Sequence, residues 1–269
     1  MYIASKDNPK IKLYTKLATS KKSREENALF VLEGARLCSE AIGRWKEKKL
    51  DIHSVFSTQK ALDKYPEYID STLFTSRSET FHIVDEKVSE KLGETKNSQG
   101  VYIIGGMSNN ILSDETLKHD GKYLVMNNLQ DPGNVGTILR TCDAVGADGV
   151  IMTNNCCDLY NPKTLRSAMG SLFRLNVFVC DDFSEVCEVL KKCNIKTYAA
   201  VVDRDAQAVD KTDFSHGVAV VIGNEGRGIQ KEDVALCDSR LTIKMQGNIE
   251  SLNAAMAAGI ILWEMKRSD

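Results

Sequence analysis

Between Lys122 and Arg267 short apolar runs alternate with segments of helical period, and this alternation restricts the fold more than any other feature of the chain. KYLVMNNL, GVIMTNN, LNVFVC, KTYAAVV and GVAVVIGNE read as strands, with a shorter SRLTIKM after them. NVGTILRTCDAVG, PKTLRSAMGSLF and SEVCEVLKKCN read as helices between strands, and SLNAAMAAGIILWEMKR as a terminal helix begun by Ser251. Apolar strands that alternate with helices imply a parallel sheet covered on both faces. Ligands of such sheets sit beyond the carboxyl ends of the strands, so chemistry is expected in the loops after Val125, Met152, Ile222 and Met245.

The preceding residues form a smaller α/β pattern. SKDNPKIKLYTKLATSKKSREEN gives a weakly amphipathic helix through Ile11, Leu13, Leu17 and Ala18, followed by a buried strand ALFVLEG and a helix ARLCSEAIGRWKEK. IHSVFST and STLFTS are further strand candidates, SETFHIVDEKVSEKLGET a helical passage, and GVYIIGG a last strand. MSNNILSDETLKHDG has no apolar period and reads as a linker. The expected division is a domain over 1–105, a linker over 106–119 and a larger domain over 120–269.

Composition narrows the class. At 42% hydrophobic residues the chain is that of a globular protein with a sizeable core. No run approaches the roughly 18 to 20 apolar residues of a membrane span, and MYIASKDNPKIKLYTK lacks the apolar centre of a secretory signal, so a cytoplasmic location without membrane attachment is expected. The eight cysteines are scattered, with only Cys156 and Cys157 adjacent and no CxxC pair, which suggests neither zinc nor a disulfide scaffold. The net charge of -2 argues against a uniformly basic nucleic-acid binder, yet residues 1 to 49 hold 12 Lys/Arg against 6 Asp/Glu. Attraction to phosphates needs only such a local excess.

Three constellations stand out. In NNLQDPGNVGTILRT, Asp131, Pro132 and Gly133 make a turn and Asn134 can cap the next helix. Helical steps put Arg140 about two turns into a helix otherwise packed with apolar residues, where a buried guanidinium would need a phosphate or carboxylate partner. VAVVIGNEGRGI carries Gly223, Gly226 and Gly228 around Glu225. Its glycine order is the reverse of the dinucleotide fingerprint, and Glu225 would repel a pyrophosphate, so NAD and ATP are discounted. IKMQGNIESLNAAMAAGIILWE joins a strand to a loop and a helix whose small residues Ala254, Ala255, Ala257, Ala258 and Gly259 allow close packing.

Together these three stretches resemble, in order and spacing, the motifs of the SpoU (TrmH) family of SPOUT-class RNA methyltransferases. The resemblance covers residues 120–269, and the part before it is similar, more loosely, to the substrate-binding domain that often precedes this catalytic domain. It implies an α/β fold in which a C-terminal parallel-sheet (SPOUT) domain with a deep trefoil knot follows a small α/β RNA-binding domain. It implies S-adenosyl-L-methionine as cofactor, bound by Gly223, Ile243 and Leu252 with Met245 and Asn253 nearby, and a homodimer. It implies methylation of a ribose 2'-hydroxyl in structured RNA, most naturally ribosomal RNA, and no metal.

By the same resemblance Arg140 is the motif-one arginine at the target ribose, Asn134 orients it or the ribose, Glu225 pairs with a donor group, and Ser251 and Asn253 shape the acceptor pocket. A guanidinium, with a pKa above about 12, is a poor proton acceptor. Arg140 is therefore expected to orient a phosphate and stabilise the developing alkoxide. Lys6, Lys10, Lys12, Lys16, Lys21, Lys22 and Arg24 are expected along RNA phosphates, with Tyr14 available for stacking. Other readings are the same reaction on tRNA, a resistance-type methylation of the ribosome, a non-catalytic RNA-binding assembly factor, and a doubly wound nucleotide-binding protein.

Overall fold

A computed structural model describes residues 2–70, 72, 80–95, 97–108 and 110–267. The chain forms two compact units, Met1–Ser108 with Tyr160–Phe173, and Asn109–Leu159 with Arg174–Asp269.

The first unit contains β1 (Tyr2–Ile3), α1 (Pro9–Thr19), α2 (Lys21–Asn27), β2 (Leu29–Glu33), α3 (Ala35–Lys46), β3 (Ile52–Ser57), α4 (Gln59–Lys64), β4 (Phe81–Val84), α5 (Glu86–Leu92) and β5 (Val101–Gly106). Its strands pair in the order β1-β4-β3-β5-β2 among the described residues, with β5 antiparallel to both neighbours. Helix α1 starts where Asn8 accepts from the Lys10 amide and Pro9 fixes the first turn. It buries Ile11, Tyr14, Leu17 and Ala18 against Val31, Phe56, Tyr102 and Ile104.

The passage expected to be one helix, SETFHIVDEKVSEKLGET, holds β4 and then α5 over its described part. Phe81–Val84 pairs with β3, and Asp85 caps α5 by accepting from the Lys87 amide. A carboxylate cap makes a clean break between the two elements. The strand candidate STLFTS lies, apart from Thr72, outside the described residues.

In the second unit β6 (Lys122–Met126), α6 (Pro132–Val145) and β7 (Gly149–Thr153) begin the series. Helix α7 (Pro162–Ala168) and a 3-10 turn at Ser171–Phe173 follow, but these belong to the first unit. There Tyr160 and Phe173 stack on Phe30, with ring centroids 5.1 and 5.9 Å apart, and Arg166 pairs with Glu94 at 2.9 Å. The second unit resumes with β8 (Val177–Cys180), α8 (Phe183–Lys192), β9 (Lys196–Ala200), β10 (Gln207–Ala208), β11 (Val218–Ile222), α9 (Lys231–Leu236), β12 (Ser239–Thr242) and α10 (Ala254–Arg267).

Its strands are all parallel, in the order β10-β12-β9-β11-β6-β7-β8 among the described residues, as the apolar runs require. Two boundaries differ from the expected division. Residues 160–173 leave the larger domain, and Leu117, within the expected linker, is buried with Tyr123, Val125 and Ile151. Among the described residues no helix is long and apolar enough to cross a membrane.

Candidate active site

The carboxyl ends of β9, β11 and β12 open into a cavity of about 470 Å3. Gly223, Glu225, Ile243, Met245, Ser251 and Leu252, all singled out in the sequence, line it. Gly223 makes the wall thin. A Cβ placed there would lie 2.6 Å from the Gly228 carbonyl oxygen and 2.5 Å from the Ile229 nitrogen, so the backbone has room only for hydrogen. Asn224 holds the rest of that loop as a turn: its side-chain oxygen accepts from the amides of Gly226 (3.0 Å) and Arg227 (3.1 Å). Its main chain exchanges hydrogen bonds with Gly228 at 3.1 and 2.9 Å, and its side-chain nitrogen donates to Asn128 O at 3.0 Å.

Glu225 ties this loop to the start of α6. Its carboxylate accepts from the amides of Asp131 (2.9 Å) and Gln130 (3.1 Å) and from Asn134 Nδ2 (3.1 Å). Burial works to raise the carboxyl pKa, but the donating Asp131 and Gln130 amides and the Asn134 side chain outweigh it and hold Glu225 below the usual glutamate range. Asn134 Oδ1 in turn accepts from Asn253 Nδ2 at 3.0 Å, and Asn253 Oδ1 accepts from the Ala255 amide at 2.9 Å. One polar chain therefore links the three motifs, from the glycine loop through α6 to the cap of α10.

Two caps differ from the expected ones. Asp131 caps α6, accepting from the Gly133 and Asn134 amides, which frees the Asn134 side chain for Glu225 and Asn253. Asn253, rather than Ser251, caps α10. Neither Asn134 nor Asn253 lines the cavity.

Arg140 corrects a further expectation. It is exposed, and among the described residues it has no ion pair or hydrogen bond. At about 100° per residue it lies about 160° around α6 from both Ile138 and Cys142, which are buried, and so falls on the solvent face with Thr137. Sequence reasoning also missed Val201 and Val202 at the end of β9, and Arg227 and Glu250, all of which line the cavity. The rule that points to strand ends would have found the first two, had it been applied to KTYAAVV. Among the described residues no group of three or more His, Cys, Asp or Glu is placed to hold a metal ion.

The SpoU rRNA Methylase family model matches residues 121–263, which include every residue named in this site. The chain belongs to that family. A second model, the MRM3-like substrate binding domain, matches residues 8–102 of this SpoU chain. Among curated relatives, the 23S rRNA (guanosine(2553)-2'-O)-methyltransferase RlmP of Bacillus subtilis is 31% identical, with 98% of each chain covered. The SpoU methyltransferase AviRb of Streptomyces viridochromogenes, solved in complex with AdoMet, is 28% identical at a TM-score of 0.84, covering 97% of this chain and 98% of its own. An AdoMet-bound rRNA methyltransferase from Sinorhizobium meliloti is 25% identical at a TM-score of 0.84, covering 100% of this chain and 98% of its own.

In this SpoU chain the basic N-terminal segment is divided in its availability. Lys6, Lys12, Lys16, Lys21 and Lys22 are exposed. Lys12, Lys21 and Lys22 make ion pairs with Asp7, Glu25 and Glu26 at 3.1, 3.6 and 3.8 Å, loose enough in water to yield to a phosphate. Lys10 is half-buried, its Nζ 2.8 Å from His82 Nε2. Two expectations fail outright. Arg24 is 3% exposed and donates to the carbonyls of Leu17 and Ala18, satisfying the end of α1 rather than an RNA phosphate. Tyr14 is buried, donates to Leu32 O at 3.1 Å and packs edge-on against Phe56 and Tyr102, so it offers no face to a base.

Proposed function

We propose that this chain transfers the methyl group of S-adenosylmethionine to a ribose 2'-hydroxyl of ribosomal RNA. The observation that carries the reading is the cavity at the ends of β9, β11 and β12, joined through Glu225, Asn134 and Asn253 to the helix that carries Arg140. Its size falls within the roughly 300–1,000 Å3 of ligand sites. Its lining suits the cofactor: Ile243, Leu252 and Ile261 offer apolar surface for an adenine ring, the Gly223 backbone offers close approach, and charged side chains stand ready for the amino-acid end. The named activities of the relatives, 23S rRNA 2'-O-methyltransferases of Bacillus subtilis and Streptomyces viridochromogenes, point the same way.

When bound, the cofactor supplies a sulfonium methyl group that needs no further activation. The chain's task is then to hold the hydroxyl in line and stabilise the charge that develops on it. Arg140 does the second by orienting a phosphate and facing the nascent alkoxide, while the proton passes to a phosphate oxygen or water. Glu225, Asn134 and Asn253 act as positioning residues, and Ser251 shapes the acceptor side of the cavity.

Arg140 lies outside the cavity's lining, and a homodimer resolves this by bringing one protomer's Arg140 to the partner's cavity. Helix α10, packed against α6, exposes Met256 (61%), Ile260 (37%) and Trp263 (63%) along one stripe, which suits burial against a second copy. The resemblance also implies a trefoil knot. Consistent with such a closure, α10 packs on α6 and β6. The N-terminal unit holds the RNA through its exposed lysines.

The test is transfer of labelled methyl from S-adenosylmethionine to size-fractionated RNA of a strain lacking the protein. The expected result is label in one ribosomal RNA band, resistant to alkaline cleavage at the modified ribose, and reduced at least a hundredfold by Arg140→Ala with cofactor affinity unchanged. Label in tRNA would reassign the substrate, and no label in any pool despite cofactor binding would overturn the enzyme reading.

A further inference from the structure

The cavity has three charged side chains in its lining, Glu225, Arg227 and Glu250. Glu225 is committed to the Gln130 and Asp131 amides and to Asn134. Arg227 and Glu250 differ from it, since among the described residues neither side chain has an ion pair or hydrogen bond. Arg227 is nonetheless placed, because its amide is held by Asn224 Oδ1 at 3.1 Å within a turn closed by the Asn224 and Gly228 pair. A fixed stem with an uncommitted guanidinium is a recognition group awaiting an anion, and the planar fork matches a carboxylate. Glu250 stands on the opposite loop, one residue before Ser251.

The proposed cofactor has a complementary set of charges: a carboxylate and an ammonium at its amino-acid end, and the sulfonium. Resting on that reading, we propose that Arg227 binds the carboxylate of the cofactor's amino-acid end and Glu250 its ammonium. The apolar and backbone surface of the cavity would then hold the nucleoside without discriminating what is attached to it, and the two loop charges select the intact amino acid. Among the described residues Arg227 is the sole cation in the lining, so a carboxylate has one partner there.

Calorimetric binding to the full chain tests this with three ligands: S-adenosylmethionine, its decarboxylated form, and 5'-methylthioadenosine, which lacks the amino acid altogether. Arg227→Gln is expected to weaken S-adenosylmethionine roughly ten- to hundredfold and leave the decarboxylated ligand unchanged. Glu250→Gln is expected to weaken both of these and leave methylthioadenosine unchanged. Arg227→Lys should regain part of the loss, since it restores the charge without the fork. Equal weakening of all three ligands by Arg227→Gln, or of none, would overturn the assignment. So would a loss confined to RNA affinity in filter binding, which would make Arg227 a phosphate contact. Failure of the unmodified chain to bind any of the three ligands would instead remove the cofactor reading itself. Both side chains are exposed, so folding is expected to survive these changes, as a thermal melt would verify.

Discussion

Replacing Gly223 by alanine asks whether the cavity wall is as close-fitting as its geometry implies. The added Cβ would lie 2.6 Å from the Gly228 carbonyl oxygen and 2.5 Å from the Ile229 nitrogen, with the Gly228 carbonyl carbon also in the way. Comfortable contacts are about 3.5–4.0 Å, so the loop must retreat by roughly 1 Å. All three obstacles are main chain, and Asn224 holds that main chain from both sides, so no side-chain rotation relieves the clash. Overpacking of this kind costs about 1–3 kcal/mol. At about 2–4 °C per kcal/mol for a domain of this size, the melting temperature should fall by roughly 2–12 °C. The same retreat displaces the cavity wall, so affinity for S-adenosylhomocysteine, read by calorimetry, should fall at least tenfold. Gly226→Ala is the control, because its Cβ would meet only Asn224 Oδ1 at an ordinary 3.8 Å. Equal stability and affinity in Gly223→Ala and the unmodified chain would refute the idea that this wall is rigid and close.

Glu225→Gln should cost about 1–2 kcal/mol at neutral pH, since three donors lose a charged acceptor on a partly solvated loop. Because the folded-state pKa of Glu225 is lowered, its contribution is full above the unfolded value near about 4.3 and disappears as pH falls through the folded value. Urea titrations at neutral and acid pH should therefore show the two chains converging in acid, and a constant difference would contradict the linkage. Arg24→Ala should destabilise the first unit by about 2–4 kcal/mol by leaving the Leu17 and Ala18 carbonyls buried and unpaired, whereas Lys22→Ala should change its melt by less than about 0.5 kcal/mol. Limited alkylation at neutral pH should label Cys187 before Cys142. A hydrogen bond from Cys237 lowers the Cys187 thiol, while burial pushes Cys142 up to about 12, and mass spectrometry would read the order.

What could be read in advance was whatever a local pattern encodes. The runs that became β6, β7 and β11 are mostly apolar, and the structure buries every residue of them, while β9 buries Thr197, Tyr198 and Ala199 between half-buried ends. The motif residues Gly223, Glu225, Ile243, Met245, Ser251 and Leu252 converge because each follows a strand whose end points the same way in a parallel sheet. The misreadings have a common origin in choices made by tertiary contact. Nothing local distinguishes Arg24, which turns inward to α1, from Lys22 two positions earlier, which faces water. Apolar neighbours in sequence suggest a buried Arg140, but its own angular position on α6 decides its exposure. β1 and β10 are two residues each, too short for any period to show. Helix α7 has an unremarkable amphipathic pattern, and that pattern does not say which sheet it packs on.

The assignment of residues 160–173 to the first unit has a consequence for how the chain is made and divided. A ribosome that has released the first 108 residues has not yet supplied Tyr160, Leu165 or Phe173, so Phe30 waits for its stacking partners while β6, α6 and β7 emerge. Cutting the gene at a single point between the units would leave a truncated N-terminal product missing part of its interior, and a C-terminal product with an orphaned apolar loop. Chimeras between relatives should accordingly exchange two segments, 1–108 and 160–173, as one inheritance.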